Sequence, residues 1–129
     1  MERLFVYGTL KRGFGNHDLL SESRFLGKAV TKDKYALYES GIPFVFKYQP
    51  VSRIKGEVYE VSNDTLTNID ALEGHPYWYR REKVPVILED GREIEAWIYF
   101  YPVPEGALNP SGEYGHGKAH FNSFVEEEL

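Results

Sequence analysis

One segment of this 129-residue chain has the periodicity of a core-facing helix, and most of the remainder consists of short apolar runs separated by turn residues. Strand-like runs occupy residues 3–7, 24–30, 33–39, 44–48, 54–61, 81–88 and 93–101. Alternation of apolar and polar residues with a period of two is typical of half-buried strands. Many strands beside short helices predict an α+β fold, with a mixed or mostly antiparallel sheet curled into a small β-barrel.

The length of the chain predicts a single domain over residues 1–129. Residues 102–117 are rich in Gly and Pro and predict a long surface loop, and residues 118–129 could form a terminal helix. Aromatic residues make up 16% of the chain, which favours a pocket or an interface lined by rings. An aromatic-rich surface, or the tail at residues 102–129, could form the interface of a homodimer.

Charge and hydropathy exclude several classes of function. The net charge is −5, and the basic run at residues 80–83 is interrupted by Glu82, so a nucleic-acid partner is not expected. No apolar run approaches the ~20 residues of a membrane span. The first residues lack the layout of a signal peptide, which predicts a cytoplasmic protein. The absence of Cys excludes disulfides and thiolate nucleophiles.

The helical segment has recognisable ends. Ser62 or Asn63 is suited to the N-cap, and Gly74 is suited to the C-terminal stop of a helix that ends near Glu73. A shorter helix is expected to begin at Asn16 or His17 and to end at residue 20.

The helical wheel of residues 63–73 gives the two acidic residues near its end different directions. At ~100° per residue, Leu66, Ile69 and Leu72 form one apolar stripe. Glu73 projects about 40° from the middle of that stripe, and Asp70 about 100° from it. Glu73 is therefore expected to point toward the protein, and Asp70 toward the edge.

An inward carboxylate loses hydration, which raises its pKa above the ordinary value of roughly 4.3. A pKa closer to neutrality makes Glu73 a candidate general base. From the residues alone, an equally ordinary outcome is a Glu side chain that turns out to solvent or pairs with Arg80 or Arg81.

The segment Tyr7-Gly8-Thr9-Leu10 directly follows the first strand. Gly8 allows the backbone to approach a ligand closely, and the neighbouring N–H groups with the Thr9 hydroxyl could bind an anion. The segment does not match a phosphate-binding loop, because Phe14 follows Gly13 where that motif has Lys. An ordinary turn is the alternative.

Two further patterns bear on the site. In the run 93–101, Trp97, Tyr99 and Tyr101 share one face, which could line a cavity or pack as a buried strand. His116 and His120 have i, i+4 spacing, but Gly117 stands where a zinc-protease helix has Glu. A metal site is therefore not expected.

The order of several motifs carries a resemblance to a known family. The segments LFVYGTLKRG, NHDLL, YALYESGIPF, IKGEVYEV, IDALEGHPYWYRR and AWIYFY occur in this order over residues 1–101. The chain resembles the gamma-glutamylcyclotransferase-like family, in particular its gamma-glutamylamine cyclotransferases and small prokaryotic relatives. YGTLK near the start, with D-x-x-E-G ahead of Y-x-R, is the most specific pair.

The resemblance implies a small β-barrel with one pocket and no cofactor. It implies Glu73 as the catalytic acid/base, and Tyr7, Gly8, Thr9 and Leu10 as the substrate-binding loop. It implies Tyr99, with Tyr101 as the alternative, as a pocket tyrosine. Tyr79 and Arg80 are assigned to the Y-x-R element in a supporting role.

The implied reaction is the cyclisation of a small gamma-glutamyl amine or amide to 5-oxoproline, with release of the amine. Three alternatives stay open. The chain could bind a small metabolite without turnover, it could transfer or hydrolyse a gamma-glutamyl group on a larger adduct, or it could act as an interaction module through its aromatic strand.

Overall fold

Residues 1–115, which the computed structural model describes, contain seven β-strands, one α-helix and one 3₁₀ helix. In chain order these are β1 Glu2–Val6, the 3₁₀ helix His17–Leu20, β2 Arg24–Glu39, β3 Pro43–Phe46, β4 Ser52–Val61, α1 Asn63–Glu73, β5 Arg80–Leu88, β6 Glu93–Phe100 and β7 Ala107–Asn109. The helix expected over residues 118–129 and the His116–His120 pair lie outside the described residues.

Five strands close into a barrel. Their order is β2-β4-β1-β6-β5, and β5 returns to β2 through the pairs Ala29–Leu88, Val30–Ile87 and Thr31–Val86. β1 and β6 run parallel, and the other neighbours run antiparallel. β3 and β7 extend the sheet from the far end of β2. The prediction of an α+β fold built on a small mixed barrel is confirmed.

β2 is one long strand where the sequence predicted two. The register between β2 and β4 shifts between Phe25 and Gly27 and again between Val30 and Lys34. At the second shift, the Thr31 hydroxyl donates to the Asp33 carbonyl at 2.7 Å and accepts the Ile54 N–H at 2.8 Å. The polar stretch that looked like a turn is therefore a bulge inside a continuous strand, which bends β2 around the barrel.

Asp90-Gly91 stands between two strand-like runs, which predicts a tight hairpin, and β5 and β6 form this hairpin. Gly91 adopts a left-handed backbone with φ of 90°, and its N–H donates to the Leu88 carbonyl at 2.9 Å. β5 pairs with β6 along its length, but within residues 1–115 it pairs with β2 only over residues 86–88. Pro85 therefore lies where one side of β5 has no ladder partner, as expected for a proline in a strand.

Alternation along the strands produces two apolar clusters. In β1, Phe5 contributes to the cluster that fills the barrel, whereas Leu4 and Val6 contribute to a second cluster outside it. Leu66 and Ile69 of α1 are buried in the second cluster, so the helix packs on the outside of the barrel wall. No helix within the described residues is long and apolar enough to span a membrane.

The ends of α1 are those that the sequence predicted. The Ser62 hydroxyl accepts the Thr65 N–H at 3.1 Å as the N-cap, and Gly74 ends the helix in a left-handed conformation. Leu72 was predicted to belong to the apolar stripe of α1 that faces the protein, but its side chain is 46% exposed. It projects toward an open cavity at the end of the helix and not into the packed cluster.

Candidate active site

A cavity of about 200 Å³ lies where β1 leaves the barrel beside the C-terminal end of α1. Its walls come from several parts of the chain, among them the segment after β1, the segment before β3, the end of α1, Tyr79 just before β5 and the aromatic strand β6. All six residues that the sequence predicted for the site line this one cavity: Tyr7, Gly8, Thr9, Leu10, Glu73 and Tyr99.

Glu73 is the last residue of α1 and is only partly exposed. Burial raises the pKa of its carboxyl to about 7. The backbone carbonyl of Glu73 accepts the N–H of Tyr79 at 3.2 Å, which places the chain after the helix against the same cavity. The predicted inward direction of Glu73 is confirmed, whereas its catalytic role stays a prediction.

Three tyrosines surround Glu73 and offer it no positive charge. Burial raises the pKa of Tyr7, of Tyr79 and of Tyr99, so all three hydroxyls stay neutral near neutral pH. Because no cation within residues 1–115 forms an ion pair with Glu73, desolvation is not offset. This neutral, partly dry environment explains why the pKa of Glu73 lies near neutrality.

The same tyrosines are held by hydrogen bonds to the protein. The Tyr7 hydroxyl donates to the Tyr99 carbonyl at 2.8 Å, and the Tyr79 hydroxyl donates to the Pro43 carbonyl at 2.7 Å. The Tyr99 hydroxyl donates to Asp70 Oδ1 at 2.6 Å. Each ring is thereby held in one orientation, and the Tyr7 oxygen also has a hydrogen bond with the Val45 backbone.

Asp70 is an important residue that the sequence reasoning missed. Arg81 donates to both of its oxygens, from Nε to Oδ1 at 2.8 Å and from a terminal nitrogen to Oδ2 at 3.1 Å. Burial raises the pKa of Asp70, but the hydrogen bonds from Arg81 and Tyr99 outweigh it and hold the pKa below its ordinary value. Asp70 was expected at the edge of the helix, and only the long-range partner Arg81 explains its burial.

Arg80 does not line the cavity, so the supporting role predicted for it from the sequence does not hold. Its side chain is exposed and lines a separate surface depression that does not include Glu73. Arg81 is the arginine that reaches the site, because alternation along β5 directs the two neighbours to opposite faces. The Y-x-R spacing of Tyr79 and Arg81 is the sequence signal that identifies it.

The segment after β1 is held as a tight loop. The Lys11 N–H donates to the Gly8 carbonyl at 3.0 Å, and Asn16 donates to Thr9 through both its backbone N–H and its side-chain amide, at 2.9 Å each. Within residues 1–115, the N–H groups of Gly8, Thr9 and Leu10 donate to no acceptor. They are therefore available to a ligand with a carbonyl or carboxylate oxygen.

Gly8 is required by space and not by backbone conformation. A Cβ atom at this position would lie 2.6 Å from Cγ of Pro43 on the opposite wall of the cavity. Any side chain at Gly8 would therefore narrow the cavity beside Glu73. Pro43 and the neighbouring Ile42 were not singled out in the sequence, because nothing local connects them to the loop at residues 7–10.

The described residues offer no evident metal site. No group of three or more His, Asp or Glu side chains within residues 1–115 is arranged to hold a metal ion. The groups that can act on a ligand here are the Glu73 carboxyl, the phenolic oxygens and the free N–H groups of the loop.

The barrel has five strands, and a carboxylate at the end of the one described α-helix faces a glycine loop across the cavity. This combination of fold and site defines a distinct class of small β-barrel proteins. The chain belongs to the family "Gamma-glutamyl cyclotransferase, AIG2-like", whose family model matches residues 4–116.

Proteins similar to this chain come from distant organisms. A Methanocaldococcus jannaschii protein named "putative gamma-glutamylcyclotransferase" is 56% identical over 115 residues, which cover 88% of this chain and 96% of that protein. Gamma-glutamylaminecyclotransferase C of Danio rerio is 34% identical, over 74% of this chain and 72% of its own. The crystal structure of an uncharacterised Pyrococcus horikoshii protein matches with a TM-score of 0.77 and 28% identity, over 95% of this chain and 98% of that one.

Proposed function

We propose that this chain is a gamma-glutamylcyclotransferase-type enzyme, which converts a small gamma-glutamyl amine or amide into 5-oxoproline and a free amine. The observation that carries the proposal is the Glu73 carboxyl, which has a pKa of about 7 and shares one cavity with the free N–H groups of the loop at residues 8–10. Family membership and the names of the relatives support the same class of activity.

The reaction needs a base first and an acid afterwards. Ionised Glu73 accepts a proton from the substrate's α-ammonium, and the resulting amine attacks the substrate's own γ-carbonyl carbon. A new C–N bond forms, and a tetrahedral oxyanion results. Protonated Glu73 then gives its proton to the nitrogen of the original amide, whose bond to carbon breaks. The ring nitrogen still carries one proton too many, and the re-ionised Glu73 accepts it, so that 5-oxoproline forms; Glu73 finally loses this proton to solvent or to the released amine. A group with a pKa near 7 can perform these transfers at neutral pH.

The remaining groups of the cavity orient the substrate. In this proposal, the N–H groups of Gly8, Thr9 and Leu10 bind the α-carboxylate or the developing oxyanion, where donors in a water-poor site are most effective. The rings of Tyr7 and Tyr99 press the glutamyl chain into the bent shape that cyclisation requires, an effect of orientation. The proposal involves no cofactor. The cytoplasmic location and the homodimer stay predictions of the sequence.

The direct test replaces Glu73 by Gln, which keeps the shape of the side chain and removes the base. With a gamma-glutamyl amine as substrate and mass spectrometry of 5-oxoproline as the readout, the Glu73→Gln variant is expected to lose about 100-fold or more in kcat. Glu22→Gln is the matched control, because Glu22 is exposed in the turn after the 3₁₀ helix.

Each other result has a defined meaning. Equal rates of wild type and Glu73→Gln contradict the role of Glu73. Saturable binding without any product indicates a metabolite-binding protein. Free glutamate in place of 5-oxoproline indicates hydrolysis of a gamma-glutamyl adduct.

A further inference from the structure

A second and more open cleft of about 510 Å³ adjoins the first cavity. The two share Ile42, Leu72, Glu73 and Tyr79 in their walls. Glu73 thus stands at the junction, with the glycine loop on one side and the second cleft on the other. The sequence offered no indication of this second cleft, and the cyclisation step described above does not use it.

The walls of the second cleft are aromatic and acidic. Phe44 and Tyr101 lie with ring centroids 4.6 Å apart, and Tyr101 meets Tyr79 edge-on at 5.3 Å. Trp78 forms another wall and is 68% exposed. Of the described residues that line the cleft, two are acidic, Glu73 and Glu105, and none is basic.

Glu105 lines the cleft, and the short strand β7 begins two residues after it. β7 pairs with the end of β2 through Glu39–Ala107, and the Asn109 side chain donates to Glu39 Oε2 at 2.8 Å. Gly106 has a φ of 88° and lies so close to the Glu39 carbonyl oxygen that a side chain there would overlap it. The backbone that follows Glu105 is therefore anchored at the rim of the cleft.

Trp78 is also held by local contacts. The backbone N–H of Trp78 donates to the Gly74 carbonyl at 2.8 Å. A Cβ atom on Gly74 would lie 2.7 Å from Cδ1 of Trp78, so the indole packs directly over the glycine that ends α1. This contact keeps a largely exposed ring in place as a wall of the cleft.

This inference rests on the proposed function. During cyclisation, the leaving nitrogen must lie beside Glu73 to receive its proton, while the glutamyl part occupies the cavity of about 200 Å³ beyond. The substituent on that nitrogen then has the second cleft as its path to solvent. We propose that the second cleft is the leaving-group subsite, and that Trp78, Tyr101 and Glu105 select amines with a second positive charge and no carboxylate.

The chemistry of the walls explains this selection. A cation is attracted to the faces of Trp and Tyr rings. The Glu105 carboxylate attracts the same cation and repels an anion, and no Lys or Arg is among the described residues that line the cleft. Because Glu105 is exposed, the selectivity depends on ionic strength and weakens in high salt.

The test compares three conjugates that differ in charge but have similar length, namely the gamma-glutamyl derivatives of 1,5-diaminopentane, n-hexylamine and 6-aminohexanoate. At low salt, the wild type is expected to give kcat/KM values that fall in that order, about five-fold between the cationic and the neutral conjugate. In ~1 M salt the difference is expected to shrink toward unity.

Two variants assign the selectivity to the cleft. Glu105→Gln is expected to lower kcat/KM for the cationic conjugate about five-fold, to a value close to that for the neutral conjugate. Glu105→Lys is expected to reverse the order of the cationic and anionic conjugates. The control Glu22→Gln removes one negative charge at an exposed site outside both cavities and is expected to preserve the preference.

The outcomes separate the two proposals. If the neutral conjugate is cyclised but Glu105→Gln keeps the preference of the wild type, the leaving-group subsite is refuted and the proposed function stands. If none of the three conjugates yields 5-oxoproline, the proposed function fails, and the subsite fails with it.

Discussion

Two carboxylates on one helix, three residues apart, have opposite environments. Asp70 receives two hydrogen bonds from Arg81 and one from Tyr99, so it stays ionised with a lowered pKa. Glu73 is desolvated without a cationic partner, and its pKa rises to about 7. Environments that push two pKa values apart in this way separate a structural carboxylate from one that can exchange a proton at neutral pH.

The raised pKa of Glu73 has a consequence for stability. Between the ordinary pKa of a Glu carboxyl and the folded value of about 7, the folded protein holds a proton that the unfolded chain has lost. Stability due to this group is therefore present at low pH and is lost as the pH rises toward 7. Glu73→Gln is expected to raise the free energy of unfolding at pH 8 by about 1–3 kcal/mol, and by far less at pH 5.

Urea denaturation of both proteins across this pH range measures the difference. A Glu73→Gln variant that is equally or less stable than the wild type at pH 8 would show that the carboxylate is well hydrated in the folded protein.

Asp70 is predicted to support the site without taking part in proton transfer. Asp70→Asn leaves the Arg81 guanidinium, which is only 19% exposed, without its charged partner, so it is expected to cost about 1–3 kcal/mol in unfolding free energy. The acid limb of the pH–rate profile is expected to stay near pH 7, because that limb belongs to Glu73. A shift of the limb by more than one pH unit in Asp70→Asn would contradict the separation of the two roles.

At the scale of elements, the parts that the sequence predicted well are those with local signals. Ser62 and Gly74 mark both ends of α1, and Asp90–Gly91 marks the hairpin. β7 was not predicted, because Ala107–Asn109 is only three residues long and has no apolar alternation. Leu72 was predicted to be buried because the wheel considers one helix alone, whereas a cavity wall needs neighbours that the wheel cannot show.

The loop after β1 provides a matched pair of glycine substitutions. Gly8→Ala places a methyl group 2.6 Å from Cγ of Pro43, so it is expected to lower kcat/KM about ten-fold or more by displacing the wall beside Glu73. Gly15→Ala, in the same segment, meets nothing within 4 Å and needs no left-handed backbone, so it is expected to be neutral.

The two glycine variants are compared by steady-state kinetics, and unfolding curves check that both are folded. Equal activity of both would mean that the space between Gly8 and Pro43 is not where the substrate binds.

At the scale of the whole molecule, the site is assembled from distant segments. Closure of β5 onto β2 brings together residues more than 50 positions apart, and Tyr99 meets Tyr7 across 92 positions. Residue types and motif order in the sequence indicated the six lining residues. The Y-x-R spacing points to Arg81, but nothing in the sequence pairs Arg81 with Asp70 or shows the wall at Pro43 and the adjoining cleft, because each of these depends on contacts between separate elements.

One end of the barrel is covered by the segment that follows β7. Tyr114 is buried in the barrel cluster, its ring lies 5.5 Å from that of Phe14, and its carbonyl accepts a hydrogen bond from the Lys11 ammonium at 2.7 Å. Tyr114→Ala is expected to lower the unfolding free energy by about 3–5 kcal/mol. Tyr114→Phe is expected to cost far less, since the bond to Lys11 uses the backbone carbonyl, and thermal unfolding separates the two variants.

The proposed role of Glu73 depends on its ability to hold a proton at neutral pH. The measurement that tests it directly is an NMR titration of the Glu73 side-chain carboxyl carbon, assigned by its absence in the Glu73→Gln variant. The expected midpoint lies near pH 7. A midpoint near the ordinary value of roughly 4.3 would contradict it, because the carboxylate would then be hydrated and could not hold a proton at neutral pH.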